Sequence, residues 1–249
     1  MTIIIPMAGL GERFLKKGYT VPKPLIEING IPMVIKATLD LPASGHHIFI
    51  ALKKHLQEYQ VETHIKKHLP DAGIISLDHV TEGQACTCML ALDAIRDDED
   101  ILIGACDNGM IINKNTFNEI KATADVIVFS FRNNITVVNK PQQYGWINLD
   151  KDGNVKNISV KKPISETPIN DHAVVGAFWF RQNIFFRKST EKMIAENRRI
   201  NNEFYVDESI NDAIALGYKV KVFEIDRYIC WGTPDDYSTY KYWQSFFNN

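Results

Sequence analysis

Short apolar runs alternate with longer amphipathic stretches through the first half of the chain. The apolar runs are rich in Ile, Val and Phe, which is typical of buried strands. They lie at residues 2–6, 47–52, 73–77, 101–105 and 125–131. Helical patterns separate them, one beginning at Pro32 and the others spanning 54–69, 85–95 and 114–122. Strand–helix alternation of this kind predicts a mostly parallel sheet covered by helices on both faces.

The pattern changes near residue 140. Residues 144–149 and 155–160 alternate apolar and polar positions, and the turn-forming DKDG segment at 150–153 joins them, which predicts a β-hairpin. A strand at 174–180, helices at about 183–197 and 206–216, a strand at 219–224 and an aromatic-rich helix at 234–247 complete the predicted elements. Because no linker, repeat or charge block separates the two layouts, we expect one α/β domain over residues 1–249.

Composition and charge restrict the classes of function. Of the 249 residues, 45% are hydrophobic and 23% charged, as in an ordinary globular domain. The 28 Lys and Arg against 30 Asp and Glu give a net charge of −2, which argues against a nucleic-acid partner or a polybasic membrane anchor. A local phosphate pocket is still compatible with it. The 4 cysteines form no CxxC pair, and no apolar stretch approaches the roughly 20 residues of a membrane span. We expect a cytoplasmic protein with free thiols.

A glycine-rich loop follows the first predicted strand. Residues 7–14 read MAGLGERF, and glycines two positions apart let a backbone turn sharply and offer N–H groups to an anion. A Rossmann dinucleotide loop would need a third glycine where Phe14 stands, and a Walker loop would need Gly-Lys-Ser/Thr. Lys23 lies between two prolines that hold its backbone rigid. Arg13 and Lys23 would therefore place two cations beside one phosphate chain, although a lone Pro-Lys-Pro segment is more often a solvated loop.

Three segments, in this order, resemble the signature of the sugar-1-phosphate nucleotidyltransferases, also called nucleoside-diphosphate-sugar pyrophosphorylases. They are the loop at 7–14, PKPL at 22–25 and NGIPM at 29–33. Further segments are similar to motifs of the same family: EGQA at 82–85, GACDN at 104–108, YGW at 144–146, KKP at 161–163 and WGTP at 231–234. Because several motifs match in order and spacing, the resemblance is far more specific than any one of them.

The resemblance implies a single-domain Rossmann-like fold of the nucleotide-diphospho-sugar transferase type, with a nucleotide-binding half at about 1–135 and an acceptor-binding half at about 136–249. It implies condensation of an NTP with a phosphorylated acceptor, foremost a sugar 1-phosphate, to give NDP-sugar and pyrophosphate, with Mg²⁺ as cofactor. Such a reaction serves nucleotide-sugar and polysaccharide biosynthesis. The resemblance assigns catalysis to Arg13, Lys23 and Asp107. The implied nucleotide-binding residues are Ala8, Gly9, Leu10, Gly11, Asp78, Gly83 and Gln84, and the implied acceptor-binding residues are Gly145, Lys161, Lys162 and Gly176.

Asp107 follows the predicted strand at 101–105, at the carboxyl edge of the sheet where α/β proteins bind ligands. A carboxylate there suits Mg²⁺, which takes oxygen ligands and substrate phosphates, and the resemblance gives Asp107 that role. The competing interpretation is a turn, since Asp-Asn-Gly at 107–109 is also good turn chemistry. Many relatives carry a second metal-binding Asp where Cys230 stands. Because sulfur is a poor Mg²⁺ ligand, either Asp107 acts with phosphates and water alone, or Asp226 substitutes.

Three further positions bear on the substrates. Lys161 stands where the family commonly has a Glu that grips sugar hydroxyls. A side chain that only donates hydrogen bonds therefore replaces one that only accepts them. An acceptor substrate that is an acidic sugar or carries its own carboxylate would fit the Lys161–Lys162 pair better. Lys162 is expected to hold the acceptor phosphate, with an exposed hairpin-end lysine as the plain alternative. Asp78, where relatives often place a base-reading Gln, would favour cytosine or guanine, but a polar strand-end residue explains it more simply.

Other functions stay open at this point. The acceptor can also be a non-sugar phosphate such as phosphocholine or a phosphorylated amino acid, used by a cytidylyltransferase. A glycosyltransferase of related fold would need an Asp-x-Asp at a strand end, whereas residues 150–152 lie in the predicted hairpin turn. A non-catalytic nucleotide-sugar-binding module would be expected to lose Arg13, Lys23 or Asp107, and all three are present. We expect Tyr240, Trp243 and Phe247 to pack back onto the domain, with a homo-oligomer contact as the alternative.

Overall fold

The structure is a computed structural model that describes residues 1–247. Its strands are β1 Thr2–Pro6, β2 Glu27–Ile28, β3 Ile31–Pro32, β4 His46–Leu52, β5 Gly73–Leu77, β6 Ile101–Ile103, β7 Asn108–Ile111, β8 Val126–Phe131, β9 Gly145–Leu149, β10 Val155–Val160, β11 His172–Phe180, β12 Val220–Glu224 and β13 Arg227–Cys230. Its helices are α1 Glu12–Lys16, α2 Met33–Leu39, α3 Lys53–Tyr59, α4 Val61–His68, α5 Gln84–Met89, α6 Lys114–Thr123, α7 Thr136–Asn139, α8 Asn183–Ala195, α9 Val206–Ala215 and α10 Pro234–Phe247.

Nine of these strands form one central sheet in the order β10–β9–β11–β6–β1–β4–β5, with β8 pairing to β11 and β12. β1 runs parallel to β4 and β6, β4 to β5, and β8 to β12. β11 runs antiparallel to β6, β8 and β9, and β9 to β10. Followed through these ladders, only β10 and β11 oppose the direction of the other strands. The predicted mixed, mostly parallel sheet is confirmed.

Helices cover both faces of the sheet. Side chains alternate along a strand, so Ile3 and Ile5 of β1 enter one core with residues of α2, α4 and α6. Ile4 enters the other core with residues of α5, α8 and α9. These three isoleucines are at most 1% exposed. A smaller cluster, built on Phe14 and Trp231, lies under the glycine-rich loop. The predicted coverage of both faces is therefore confirmed.

The structure corrects several predicted boundaries. The predicted helix at 54–69 is two helices, because Gln60 between α3 and α4 adopts a left-handed conformation with φ of 49°. The strand predicted at 101–105 ends at Ile103. Asp107 precedes β7, which pairs antiparallel with β13, so Asn108 and Gly109 belong to a strand and not to a turn. The sequence pattern predicts neither β7 nor β13, because short strands with a distant partner leave little local signal.

The last helix packs on the domain only in part. Tyr237 and Tyr240 contact the smaller cluster, and the Tyr240 ring centroid lies 5.7 Å from that of Trp231. Trp243 and Phe247 are instead 49% and 76% exposed. The expectation of back-packing is therefore correct for Tyr240 and wrong for the largely exposed Trp243 and Phe247. A homo-oligomer stays a prediction. Every helix among residues 1–247 is too short or too polar to cross a membrane.

Candidate active site

A cleft of about 310 Å³ opens beyond the carboxyl end of β6. Six of the predicted site residues line it: Arg13, Gln84, Asp107, Gly145, Lys161 and Gly176. The other predicted residues lie outside its lining: Ala8, Gly9, Leu10, Gly11, Lys23, Asp78, Gly83, Lys162 and Asp226. Segments far apart in sequence thus meet at the sheet edge where ligands of α/β proteins bind.

The glycine-rich loop joins β1 to α1 beside this cleft. Gly9 and Leu10 are exposed, whereas Ala8 is buried. Gly11 begins α1 with φ of 64°, and a Cβ there would lie 3.3 Å from the Cβ of Lys23. Arg13 follows in the first turn of α1, and its guanidinium makes no hydrogen bond or ion pair within residues 1–247. The loop and Arg13 therefore present uncommitted donors at the cleft entrance.

Lys23 and Asp107 form an ion pair at the base of the cleft. The Lys23 ammonium donates to Oδ2 of Asp107 and, at 3.0 Å, to the carbonyl oxygen of Gly232. Burial alone would lower the pKa of Lys23, but the charge and hydrogen bond of Asp107, together with a contribution from Cys106, outweigh burial and raise that pKa. Burial would likewise raise the pKa of Asp107, and Lys23, assisted by Arg13 and Lys161, lowers it. Both groups are therefore charged at neutral pH, with Lys23 behind Asp107 as seen from the cleft.

The surroundings of Asp107 decide whether Mg²⁺ fits. A Cβ on Gly232 would lie 3.4 Å from Oδ2 of Asp107 and 3.7 Å from Sγ of Cys230, so the carboxylate and the thiol flank this glycine. Burial raises the pKa of Cys230 to about 12, which leaves a neutral, soft thiol. Among residues 1–247 no group of three or more His, Cys, Asp or Glu side chains is arranged to hold a metal. One carboxylate still suits Mg²⁺, which commonly binds one or two carboxylates, phosphates and water.

Asp226, the predicted alternative metal ligand, lies at the far end of β13 from Cys230. It immediately precedes β13, is exposed, and its N–H donates to the carbonyl of Ile111 at 2.9 Å. Cys230 lies at the other end of β13, opposite Asn108. Four strand positions correspond to about 13 Å. This separation argues against the expectation that Asp226 substitutes for a ligand at Cys230, which stays a prediction.

Of the two neighbouring lysines, Lys161 faces the cleft and Lys162 does not. Lys161 adopts a left-handed conformation with φ of 60°, where the chain leaves β10. Its ammonium donates to the carbonyl of Gln143 and lies 5.2 Å from the ring centroid of Tyr205. Lys162 is exposed and lies outside the cleft lining. The exposure of Lys162 agrees with the alternative interpretation, an exposed lysine at the hairpin end. Lys161 is the residue of this pair whose side chain lines the cleft.

The predicted base-binding segment is only partly at the cleft. Asp78 is 70% exposed, pairs with Lys53 at 3.2 Å and lies outside the cleft lining, as expected of a polar strand-end residue. Gly83 has φ of 139°, and a Cβ there would lie 2.4 Å from the backbone nitrogen of Phe204. Close backbone packing therefore explains this glycine. Gln84, at the start of α5, does line the cleft.

Sequence reasoning missed several polar residues that line the cleft, among them Asn108 and Asp207. Asn108 is 3% exposed and donates from Nδ2 to the carbonyl of Val175 at 2.9 Å, while its buried Oδ1 has no partner within the described chain. Asp207 lies in the first turn of α9 and lines the cleft. Its only local signal is an acidic residue at a helix start, which predicts a favourable interaction with the helix dipole and no ligand.

Known proteins share this fold and much of this sequence pattern. The family profile described as nucleotidyl transferase matches residues 2–237. The bifunctional protein GlmU of Thermoanaerobacter pseudethanolicus is 25% identical over 230 residues, which is 90% of this chain and 47% of that protein. The chain spans about half the length of the curated relatives it matches.

Solved structures agree on the fold. The nucleoside-diphosphate-sugar pyrophosphorylase from Vibrio cholerae superposes with a TM-score of 0.77 at 21% identity, over 96% of this chain and 98% of that one. The inositol-1-phosphate CTP transferase from T. maritima superposes with a TM-score of 0.72 at 13% identity, over 94% and 90%. The predicted fold type and the family resemblance are both confirmed.

Proposed function

The chain belongs to the nucleotidyl transferase family, and from that premise we propose that it condenses an NTP with a sugar 1-phosphate to give NDP-sugar and pyrophosphate. The observation that carries the proposal is the meeting of Arg13, Asp107 and Lys161 in one cleft, with Lys23 bound to Asp107. Arg13 and Lys161 line the cleft and Lys23 pairs with Asp107 from outside its lining, and these three cations suit two phosphorylated substrates. The carboxylates of Asp207 and Asp236 also line the cleft. We also propose a cytoplasmic location, where NTPs are available and where the four cysteines would stay reduced.

In this reaction an oxygen of the acceptor phosphate attacks the α-phosphorus of the NTP. The bond from that phosphorus to the bridging oxygen breaks, and pyrophosphate leaves with its electron pair. The attacking phosphate monoester is already an anion, so no side chain needs to remove a proton. The protein's task is to bring two polyanions together and to stabilise the charge at the α-phosphoryl group.

The two halves of the chain would divide this task at about residue 135. In residues 1–135, the N–H groups of Leu10 and Gly11 and the Arg13 guanidinium would hold the triphosphate, with Gln84 toward the base. In residues 136–249, Gly145 and Gly176 would form the walls for the acceptor. Lys161, whose ammonium faces the cleft, would hold the acceptor phosphate in place of the exposed Lys162.

We further propose Mg²⁺ as the cofactor, held by Asp107 together with substrate phosphates and water. When bound, it supplies positive charge that polarises phosphoryl oxygens. Lys23 would bind the same Asp107 carboxylate as the metal ion. Lys23 would also stay charged, because that carboxylate raises the pKa of the lysine. Cys230 lies beside the site but is a neutral thiol and contributes packing.

A non-sugar phosphate is the second candidate acceptor. The observation that favours it is Lys161 itself, which places a donor-only ammonium in the cleft where the family commonly has a carboxylate for sugar hydroxyls. The fold of this chain is shared by an inositol-1-phosphate CTP transferase, a protein named for an acceptor that is not a sugar 1-phosphate.

A substrate matrix tests both candidates. Each of ATP, CTP, GTP, UTP and dTTP would be combined with sugar 1-phosphates, phosphocholine and O-phosphoserine, with Mg²⁺, and pyrophosphate release would be followed. We expect release with one acceptor class and a strong preference for one or two nucleotides. NTP binding without pyrophosphate release from any pair would contradict the proposed function and favour a nucleotide-binding module.

A further inference from the structure

Asp207 is a carboxylate in the wall of the cleft that no other side chain binds. It lies at the second position of α9, directly after Val206, which is fully buried. Asp207 is part-buried, and its carboxylate accepts a hydrogen bond from its own backbone N–H. Among residues 1–247 no other side chain forms a hydrogen bond or an ion pair with it. Burial raises the pKa of Asp207, and the positive charge of Lys161 offsets this in part. A carboxylate that lines the cleft and is bound by no other side chain has hydrogen-bond capacity left for a ligand.

The backbone of β9 fixes where this carboxylate lies. A Cβ on Gly145 would come within 2.5 Å of Oδ2 of Asp207 and 3.1 Å of Cγ2 of Val174. Any side chain at 145 would therefore displace the carboxylate, so Gly145 is required for Asp207 to take its place. Gly145 belongs to the YGW segment, which resembles a motif of the family. The position of the Asp207 carboxylate explains why glycine is required there.

A structural role at the helix start does not account for the arrangement. Glu208, the next residue of the same turn, accepts hydrogen bonds from Arg198 at 2.8 Å and from Asn211 at 3.1 Å. It thus carries the local tertiary contacts of this turn. Asp207 carries none of these and shares the cleft with the Lys161 ammonium, which lies beyond ion-pair distance and bonds to one neutral carbonyl.

We propose that Asp207 determines acceptor specificity: it accepts a hydrogen bond from a hydroxyl or ammonium group of the acceptor, and it excludes acceptors that carry a carboxylate at that end. This inference rests on the proposed function, because it assigns Lys161 to the acceptor phosphate. A carboxylate in the cleft wall repels a second carboxylate and offers it no hydrogen-bond donor. Binding sites commonly use such repulsion to reject compounds that closely resemble the substrate. Only Lys161 of the predicted lysine pair faces the cleft, so the earlier expectation of an acidic acceptor is reversed.

Two pairs of acceptors that differ by one carboxylate test this proposal. Comparing glucose 1-phosphate with glucuronic acid 1-phosphate tests whether Asp207 accepts a hydrogen bond from a hydroxyl group. Comparing phosphoethanolamine with O-phosphoserine tests whether it accepts one from an ammonium group. Dissociation constants would be measured by calorimetry with a non-hydrolysable NTP analogue present, for the wild type, for Asp207→Asn and for Glu62→Gln. Glu62 is the matched control, because it is a first-turn carboxylate of α4, 51% exposed and paired with Lys66.

We expect the wild type to bind the member without the extra carboxylate at least tenfold more tightly in one of the pairs, which identifies the donor. Asp207→Asn should reduce that ratio about tenfold, and Glu62→Gln should leave it unchanged. A ratio within twofold of wild type in Asp207→Asn, a wild-type preference for the acidic member, or no binding of any of the four compounds would overturn the inference. The expected ratios without any pyrophosphate release would support the inference while the proposed function fails.

Discussion

The Lys23–Asp107 pair offers the sharpest test, because its members can be neutralised separately or together. Lys23 is 12% and Asp107 29% exposed, so each is largely shielded from water. Asp107→Asn would leave the ammonium with the Gly232 carbonyl as its main partner, and Lys23→Met would leave the carboxylate without its lysine. We expect each single variant to be less stable than wild type, and the double variant to recover most of that loss.

The magnitude follows from the partial burial of the pair. Removing one member of a fully buried pair typically costs about 3–5 kcal/mol. Here water reaches Asp107 from the cleft and asparagine can still accept a hydrogen bond, so we expect about 2 kcal/mol for Asp107→Asn. Lys23→Met removes every donor and should cost about 3 kcal/mol. In a chain of this size about 1 kcal/mol shifts Tm by roughly 2–4 °C, so Asp107→Asn should lower Tm by about 4–8 °C.

The pH dependence has a definite sign. The folded-state pKa of Asp107 is lowered, so its contribution is present above the unfolded pKa of about 3.9 and is lost as the pH falls through the lower folded value. The pKa of Lys23 is raised, so its contribution is present below about 10.4 and is lost as the pH rises through the higher folded value. The stability difference between wild type and the double variant should therefore be constant from about pH 5 to 9.

Urea unfolding of the ligand-free protein would measure these values, and pyrophosphate release would measure activity. Asp78→Asn is the control, since its pair with Lys53 is exposed and should change stability by less than about 0.5 kcal/mol. All three Lys23 and Asp107 variants should lose about a hundredfold or more in turnover, including the stable double variant. Unchanged unfolding together with activity within a few-fold in Asp107→Asn would refute the reasoning and remove Asp107 from the mechanism.

Three further predictions concern other parts of the site. Lys161→Met should raise the KM for the acceptor at least tenfold with little effect on the KM for the NTP, whereas Lys162→Met should change both less than threefold; equal effects of the two would contradict the assignment. Cys230→Asp places a second carboxylate beside Asp107 and should lower Tm without metal and regain it with Mg²⁺, as read by calorimetry; loss of folding at every Mg²⁺ concentration would mean that the thiol is needed for packing. Gly83→Ala should lower stability by about 2 kcal/mol or more in urea unfolding, since its Cβ would meet the Phe204 backbone, and an unchanged midpoint would contradict that contact.

The sequence predicts those parts of the fold and site that depend on local pattern. The apolar run of β1, the glycines after it and the strand before Asp107 are all visible within short windows, and they place Asp107 at the correct sheet edge. The β7–β13 ladder is not visible in this way, because it pairs two four-residue strands from opposite halves of the chain. That ladder brings Cys230 opposite Asn108 and carries Asp226 away, so the choice between the two as neighbours of Asp107 required the tertiary structure.

The backbone conformation of Lys161 is a second feature that the sequence motif alone does not predict. Motif alignment equates Lys162 with the phosphate-holding lysine, since KKP at 161–163 resembles the family's Glu-Lys-Pro. The left-handed conformation of Lys161, uncommon for a residue with a Cβ, turns the chain so that its own ammonium enters the cleft. Its position there is supported by the Gln143 carbonyl and the Tyr205 ring, neither of which the motif includes. Which of two adjacent lysines lines the cleft is therefore decided by the surrounding packing, and a change at Tyr205 should alter acceptor binding although the motif stays intact.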